Sequence, residues 1–151
     1  MTTQQLYANS GDINPKFCKG IIESVKAVHP EFKSIPTALV MGFIASESSF
    51  RKEVVSSAGA IGLMQVKPDT YKWLKTVYPS LQWQNNSLEN PIENILAGMA
   101  FILWIRTKGA PESNFFSQIQ MYNTGVAGYK NGSRAKDYAS KVLTNAFIWI
   151  V

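Results

Sequence analysis

Apolar residues recur at helical spacing along most of the chain. Phe17, Cys18, Ile21, Ile22, Val25 and Val28 follow Asn14-Pro15, a capping residue and a first-turn proline, and His29-Pro30 closes the run. Ser34-Ile35-Pro36 then opens a second helix. Its residues from Thr37 to Ala45 are nearly all apolar, so burial over most of its surface is expected, with Glu47 in the last turn. Val66-Lys67-Pro68-Asp69 leads into a third helix over Pro68 to Val77, carrying Tyr71, Trp73 and Leu74. Asn90-Pro91 starts the most apolar stretch, Ile95 to Ile105, read as a central buried helix ending around Lys108-Gly109. Ser113 to Met121 carries Phe115, Phe116 and Ile119, and Ser133 to Ile150 carries Tyr138, Val142, Leu143 and Phe147. Strand patterning is weak, with only Arg51 to Val55 suited to brief pairing. The pattern predicts a mostly α fold with little or no β.

A chain of 151 residues buries a substantial core and leaves little room for a second folding unit, so residues 1–151 are expected to form one domain. No linker, low-complexity tract or repeat interrupts it. Ile95 to Ile105 is too short to span a bilayer, which takes about 20 residues, so no stable membrane insertion is expected. Met1 to Gly11 is polar, with neither the basic start nor the apolar centre of a secretory signal peptide.

A net charge of +5 points to an anionic partner, for which a bacterial cell wall or a nucleic acid would serve. The basic residues are scattered except for Lys130, Arg134, Lys136 and Lys141, a set read as the solvated face of a helix. No nucleic-acid-binding motif accompanies them, and no nucleic acid is expected as a partner. Cys18 is the single cysteine and lies on an apolar helix face, which assigns it to packing. His29 stands beside a proline with no second His or Cys near it in sequence, which argues against a metal site or a Ser-His triad. No phosphate-binding glycine loop is present.

The candidate chemistry lies in Glu47, in the run Ser56-Ser57-Ala58-Gly59-Ala60-Ile61-Gly62-Leu63-Met64-Gln65, and in Tyr122-Asn123-Thr124-Gly125. A carboxylate in the last turn of a buried helix is disfavoured by the negative end of the helix dipole and by partial burial. Both effects raise its pKa, as a general acid working near neutral pH requires. Gly59 and Gly62 permit positive φ and close backbone approach. Leu63, Met64 and Val66 are placed to pack beneath this loop, with Gln65 offering an amide donor and acceptor above it.

Taken with Glu47-Ser48-Ser49-Phe50 and Asn94-Ile95-Leu96-Ala97-Gly98, these blocks resemble the soluble lytic transglycosylases, a family related to the goose-type lysozymes that cleaves bacterial peptidoglycan. The resemblance spans roughly residues 36–130 and implies a lysozyme-like single-domain fold with a substrate cleft. It implies that Glu47 is the catalytic acid/base, that Ser56 lies near it and Gln65 contacts substrate, and that Tyr122 lines the catalytic centre with Asn123 shaping the same loop. One departure is visible: the family usually has Ala before that Tyr, and this chain has Met121.

Ordinary glycosidases use two carboxylates. Of the ten acidic residues, neither Glu53 nor Asp69 has a family match as a second catalytic group. The resemblance implies that Glu47 protonates the glycosidic oxygen between N-acetylmuramic acid and N-acetylglucosamine. It further implies that the substrate's N-acetyl group would stabilise the developing cation, and that Glu47 would then deprotonate the muramoyl C6 hydroxyl, which closes onto C1 as a 1,6-anhydro ring. No metal or cofactor is called for, and a monomer is favoured. The alternatives are a lysozyme-type hydrolase on the same fold, a non-catalytic wall-binding or virion structural module, and a nucleic-acid-binding helical protein. The polar amino terminus favours a phage enzyme, virion-associated or released through a membrane pore, over a secretion-associated one.

Overall fold

The computed structural model describes residues 14–150, so the amino-terminal segment read against a signal peptide lies outside the described residues. Among the described residues seven α-helices carry the fold: α1 Pro15–Val28, α2 Thr37–Ser48, α3 Pro68–Val77, α4 Pro91–Trp104, α5 Phe115–Thr124, α6 Val126–Lys130 and α7 Lys136–Phe147. A 3₁₀ turn, Pro30–Phe32, follows α1, and a π turn, Ile105–Gly109, prolongs α4. Extended pairing among the described residues is limited to isolated bridges of Ile61 with Val55 and Val66, so the mostly α expectation holds.

Side-chain capping sets the starts of α1, α4 and α5. The Asn14 side chain accepts from Phe17 N–H at 2.8 Å. The Asn90 side chain accepts from Ile92 and Glu93 N–H at 3.0 and 3.2 Å, satisfying amides that a helix start leaves open. Helix α4 is the hub of the core, with Ile95, Ala97, Met99 and Ala100 wholly buried. Helices α1, α3 and α5 pack around it, while α2 packs chiefly along α7. Gly42 makes that last approach close, because a Cβ there would lie 2.5 Å from the Val142 carbonyl and 2.9 Å from the Ala146 Cβ. Among the described residues no helix is long and apolar enough to cross a membrane.

Several boundaries and faces differ from the sequence reading. Helix α5 runs on through Tyr122 and Asn123 to Thr124, so these two residues occupy its last turn rather than a loop. Helix α7 begins only at Lys136 and ends at Phe147, which is 73% exposed instead of packed. Val28 and Trp73, also placed on apolar faces, are half-exposed and partly exposed, while Cys18 is fully buried. His29 is buried and has a structural part, its Nε2 accepting from Gln82 N–H at 3.2 Å.

Candidate active site

Three elements meet at an open cleft of about 430 Å³: the end of α2, the glycine loop and the end of α5. Glu47, Ser56, Gln65, Tyr122 and Asn123, all five residues singled out in the sequence, line it. Lys67 and Thr70 at the start of α3 and Phe101 on α4 extend the wall.

Glu47 reaches the cleft because α2 stops there. Ser49 and Phe50 both take left-handed backbone conformations, φ 51° and 63°, which turn the chain sharply just past the carboxylate. Such conformations are costly for non-glycine residues and cluster at functional sites. Burial pushes the Glu47 carboxyl above its ordinary value, and the hydroxyl of Tyr138 and the charge of Lys141 oppose that rise without cancelling it. The direction matches the sequence expectation, with burial as its first cause. The Tyr138 hydroxyl donates to Glu47 Oε2 at 2.8 Å. Burial and the adjacent Glu47 carboxylate hold the Tyr122 and Tyr138 hydroxyls well above the usual phenol range, so both are protonated donors.

The glycine loop is anchored rather than mobile in design. Asn94, wholly buried on α4, donates from Nδ2 to the carbonyls of Ile61 and Leu88, both at 2.8 Å, and accepts from Met64 N–H at 2.8 Å. Gly62, at φ 79°, sits against this amide, where a Cβ would also lie 3.0 Å from the Leu88 carbonyl. Gly98 leaves room for Met64, whose Cε and Cβ would stand 2.7 and 2.8 Å from a Cβ there. From the opposite side the Tyr122 hydroxyl donates to the Met64 carbonyl at 2.7 Å, tying the loop to α5. Leu63, Met64 and Val66 pack beneath, as the sequence implied.

Gln65 departs from its expected role as donor. It lies at φ 51°, and its Nε2 donates to the carbonyls of Val54 and Gly62, both at 3.0 Å. Both amide protons therefore stabilise the loop, leaving the Oε1 acceptor for a ligand. The Ser56 hydroxyl oxygen accepts from Ala60 N–H at 3.0 Å, while its own proton can be donated onward.

Sequence reading missed three contributors. Tyr138 is 91 residues from Glu47 and was placed only as an apolar helix position, with no local signal marking its hydroxyl. Asn94 stood in a recognised block, but its contacts at sequence separations of 30 and 33 could not be read locally. Glu93, a second carboxylate with no exposure, went unremarked; it accepts from the Tyr71 hydroxyl and from Gln84 N–H at 2.6 Å. Those bonds spend it on the loop after α3, so Glu47 is the carboxylate that faces the cleft. Among the described residues no three His, Cys, Asp or Glu side chains gather as a metal ion would need. A half-buried acid facing the cleft suits proton transfer to and from a bound ligand.

Comparison with known proteins adds to this geometry. A family model described as the transglycosylase SLT domain matches residues 29–145. The chain is 37% identical over 99 residues to the membrane-bound lytic murein transglycosylase C of Histophilus somni, a match covering 61% of this chain and 27% of that protein. It is 37% identical over 101 residues to the endo-type membrane-bound lytic murein transglycosylase A of Klebsiella pneumoniae, covering 64% and 48%. The chain thus spans between about a quarter and half of these relatives. An inactive variant of the lytic transglycosylase Slt from Pseudomonas aeruginosa superposes with a TM-score of 0.67 at 20% identity, over 84% of this chain and 23% of that one. The fold, lysozyme-like and almost wholly helical, is therefore shared with part of that enzyme.

Proposed function

Because the chain belongs to the transglycosylase SLT domain family, we propose that it is a peptidoglycan lytic transglycosylase, with residues 1–151 acting as one monomeric catalytic domain. The observation that carries this reading is the lone cleft carboxylate, Glu47, held by Tyr138 and pushed toward its protonated form by burial. In the proposed reaction Glu47 donates its proton to the oxygen between N-acetylmuramic acid and N-acetylglucosamine, and the N-acetyl group of the substrate supports the positive charge at C1. The Glu47 carboxylate then takes the proton of the C6 hydroxyl as that oxygen closes onto C1. One group serves as acid and then base, which removes the need for a second carboxylate.

The remaining residues position the sugar. Tyr122 fixes the loop from below, Ser56 donates to the substrate, and the Gln65 oxygen accepts from a substrate N–H or O–H. Asn123, exposed on the last turn of α5, completes the same wall. A hydrolase on this fold is the second reading, since the same acid would serve if water reached C1.

Clearing of a suspension of bacterial walls tests the assignment. Glu47→Gln, nearly isosteric, is expected to fold and to lose at least about 100-fold in rate. Undiminished clearing by the folded variant would refute it. The context we propose is a phage enzyme acting on the periplasmic wall, either carried by the virion or released through a membrane pore.

A further inference from the structure

Helix α2 ends in a turn that its own residues do not explain. Ser49 is left-handed, at φ 51°, as the residue past a helix end commonly is. Phe50 follows at φ 63°, and a second left-handed residue with a bulky side chain is costly. Within the turn the Ser48 carbonyl accepts from the Arg51 N–H at 3.1 Å and from Arg51 Nε–H at 3.3 Å, while Ser49 itself is exposed. Such a conformation persists where the surrounding structure fixes it.

Here that structure is the segment just past α7. The Phe50 and Trp149 rings meet edge to face, with centroids 6.1 Å apart at 66°, and both pack against the core. The Trp149 N–H donates to the Ala146 carbonyl at 3.0 Å, closing a turn that aims the indole at α2. Phe147, Ile148 and Ile150 on either side are left exposed, so Trp149 alone of these four apolar residues turns inward. One turn earlier, Asn145 Nδ2 donates to Ser46 Oγ at 2.9 Å, directly beside Glu47 in sequence. Further back on α7, Tyr138 holds the carboxylate itself. The family match ends at residue 145, so Trp149 lies outside the shared pattern.

We propose that Trp149 is a positioning residue for the catalytic acid: its ring holds Phe50, and with it the turn that fixes the last residues of α2 and the place of Glu47 in the cleft. The Ser49 N–H donates to the Ala45 carbonyl at 3.1 Å, so the turn and the end of α2 form one hydrogen-bonded unit that spans Glu47. An edge-to-face pair contributes beyond the area it buries. Without the indole, Phe50 returns to an ordinary backbone conformation, the helix end frays and Glu47 moves toward solvent. The proposal rests on the reading of Glu47 as the catalytic acid. It places part of the geometry of the site in a residue that does not line the cleft.

The test joins a carboxyl titration to kinetics. NMR of protein labelled with carbon-13 at its glutamate carboxyls reads the Glu47 midpoint directly, the signal being assigned by its absence from Glu47→Gln. In Trp149→Ala that midpoint should fall, because less burial favours the charged form, while Tyr122, Tyr138 and Lys141, which face the carboxyl, are unchanged. On solubilised glycan strands kcat should drop about tenfold with KM within about twofold, as expected of a displaced reacting group. Trp149→Leu should behave alike, and Trp149→Phe should restore most of both readouts. Val142→Ala, a buried change on α7 beside Gly42 and away from the turn, should lower stability and move neither. An unmoved midpoint or an undiminished kcat in the folded Trp149 variants would overturn the proposal, as would an equal shift in Val142→Ala. A parent protein that cleaves no glycan would overturn the wall-cleaving reading instead, with the titration still deciding the role of Trp149.

Discussion

Replacing Asn94 with Ala should damage stability and activity together, because this amide joins the core helix to the catalytic loop. The substitution removes three hydrogen bonds of 2.8 Å, two of them buried, and leaves the Met64 N–H and the Leu88 carbonyl without that partner, while the Ile61 carbonyl keeps the Val66 N–H. A buried polar group left unsatisfied costs about 1–3 kcal/mol. With neighbouring losses partly overlapping, the sum is about 3–5 kcal/mol, a large share of the 5–15 kcal/mol typical of a whole domain. For a chain of this size that corresponds to a fall in Tm of about 10 °C. The loop also loses its register against α4, displacing Ser56 and Gln65 from the cleft wall. A misplacement of about 1 Å near reacting groups costs up to about 100-fold in rate, so activity per folded molecule should fall at least about tenfold. Urea unfolding followed by tryptophan fluorescence, with wall clearing measured at a temperature where the variant is folded, reads both effects. A loss below about 1 kcal/mol with full activity would refute the anchoring argument.

Glu47→Gln should be at least as stable as the parent at neutral pH. A buried carboxyl with a raised pKa favours folding while protonated, and that contribution is lost as pH climbs from the ordinary 4.5 through the raised value. The stability of the variant relative to the parent should therefore rise across that interval in thermal melts, and a fall would contradict burial as the dominant influence. Tyr138→Phe keeps the ring beside Phe43, at 6.4 Å, but removes the donor that favours ionised Glu47. The alkaline limb of the pH–rate profile should move upward and kcat should drop about tenfold, whereas an unmoved limb would mean that the bond does not tune the acid. Tyr122→Phe frees the Met64 carbonyl; melting should show a loss of about 1–3 kcal/mol, and no change would place the loop's support elsewhere.

Sequence pattern exposed the parts of this fold that local chemistry controls. Asn14-Pro15 and Asn90-Pro91 cap α1 and α4 through their own side chains, so both starts were legible within a few residues. The end of α5 was not, because there the Tyr122 ring packs against Phe43 and Phe101 from other elements. Helix α6 spans only Val126–Lys130 between Gly125 and Asn131, too short to show periodicity. The five residues named for the site all line the cleft, since their spacing carried a family pattern. Tyr138 and the anchoring contacts of Asn94 needed the third dimension. Phe147 fits the apolar pattern of the closing helix, yet it is left exposed where α7 runs out.

The product of the reaction tests the central claim most directly. Purified peptidoglycan digested in heavy-oxygen water, then separated and weighed by mass spectrometry, distinguishes the two fates of the C1 carbon. Closure by the muramoyl C6 hydroxyl predicts 1,6-anhydromuropeptides carrying no solvent oxygen and no new reducing end, all absent from the Glu47→Gln digest. Abundant reducing ends labelled at C1 would show that water is the acceptor and that the protein is a hydrolase on this fold.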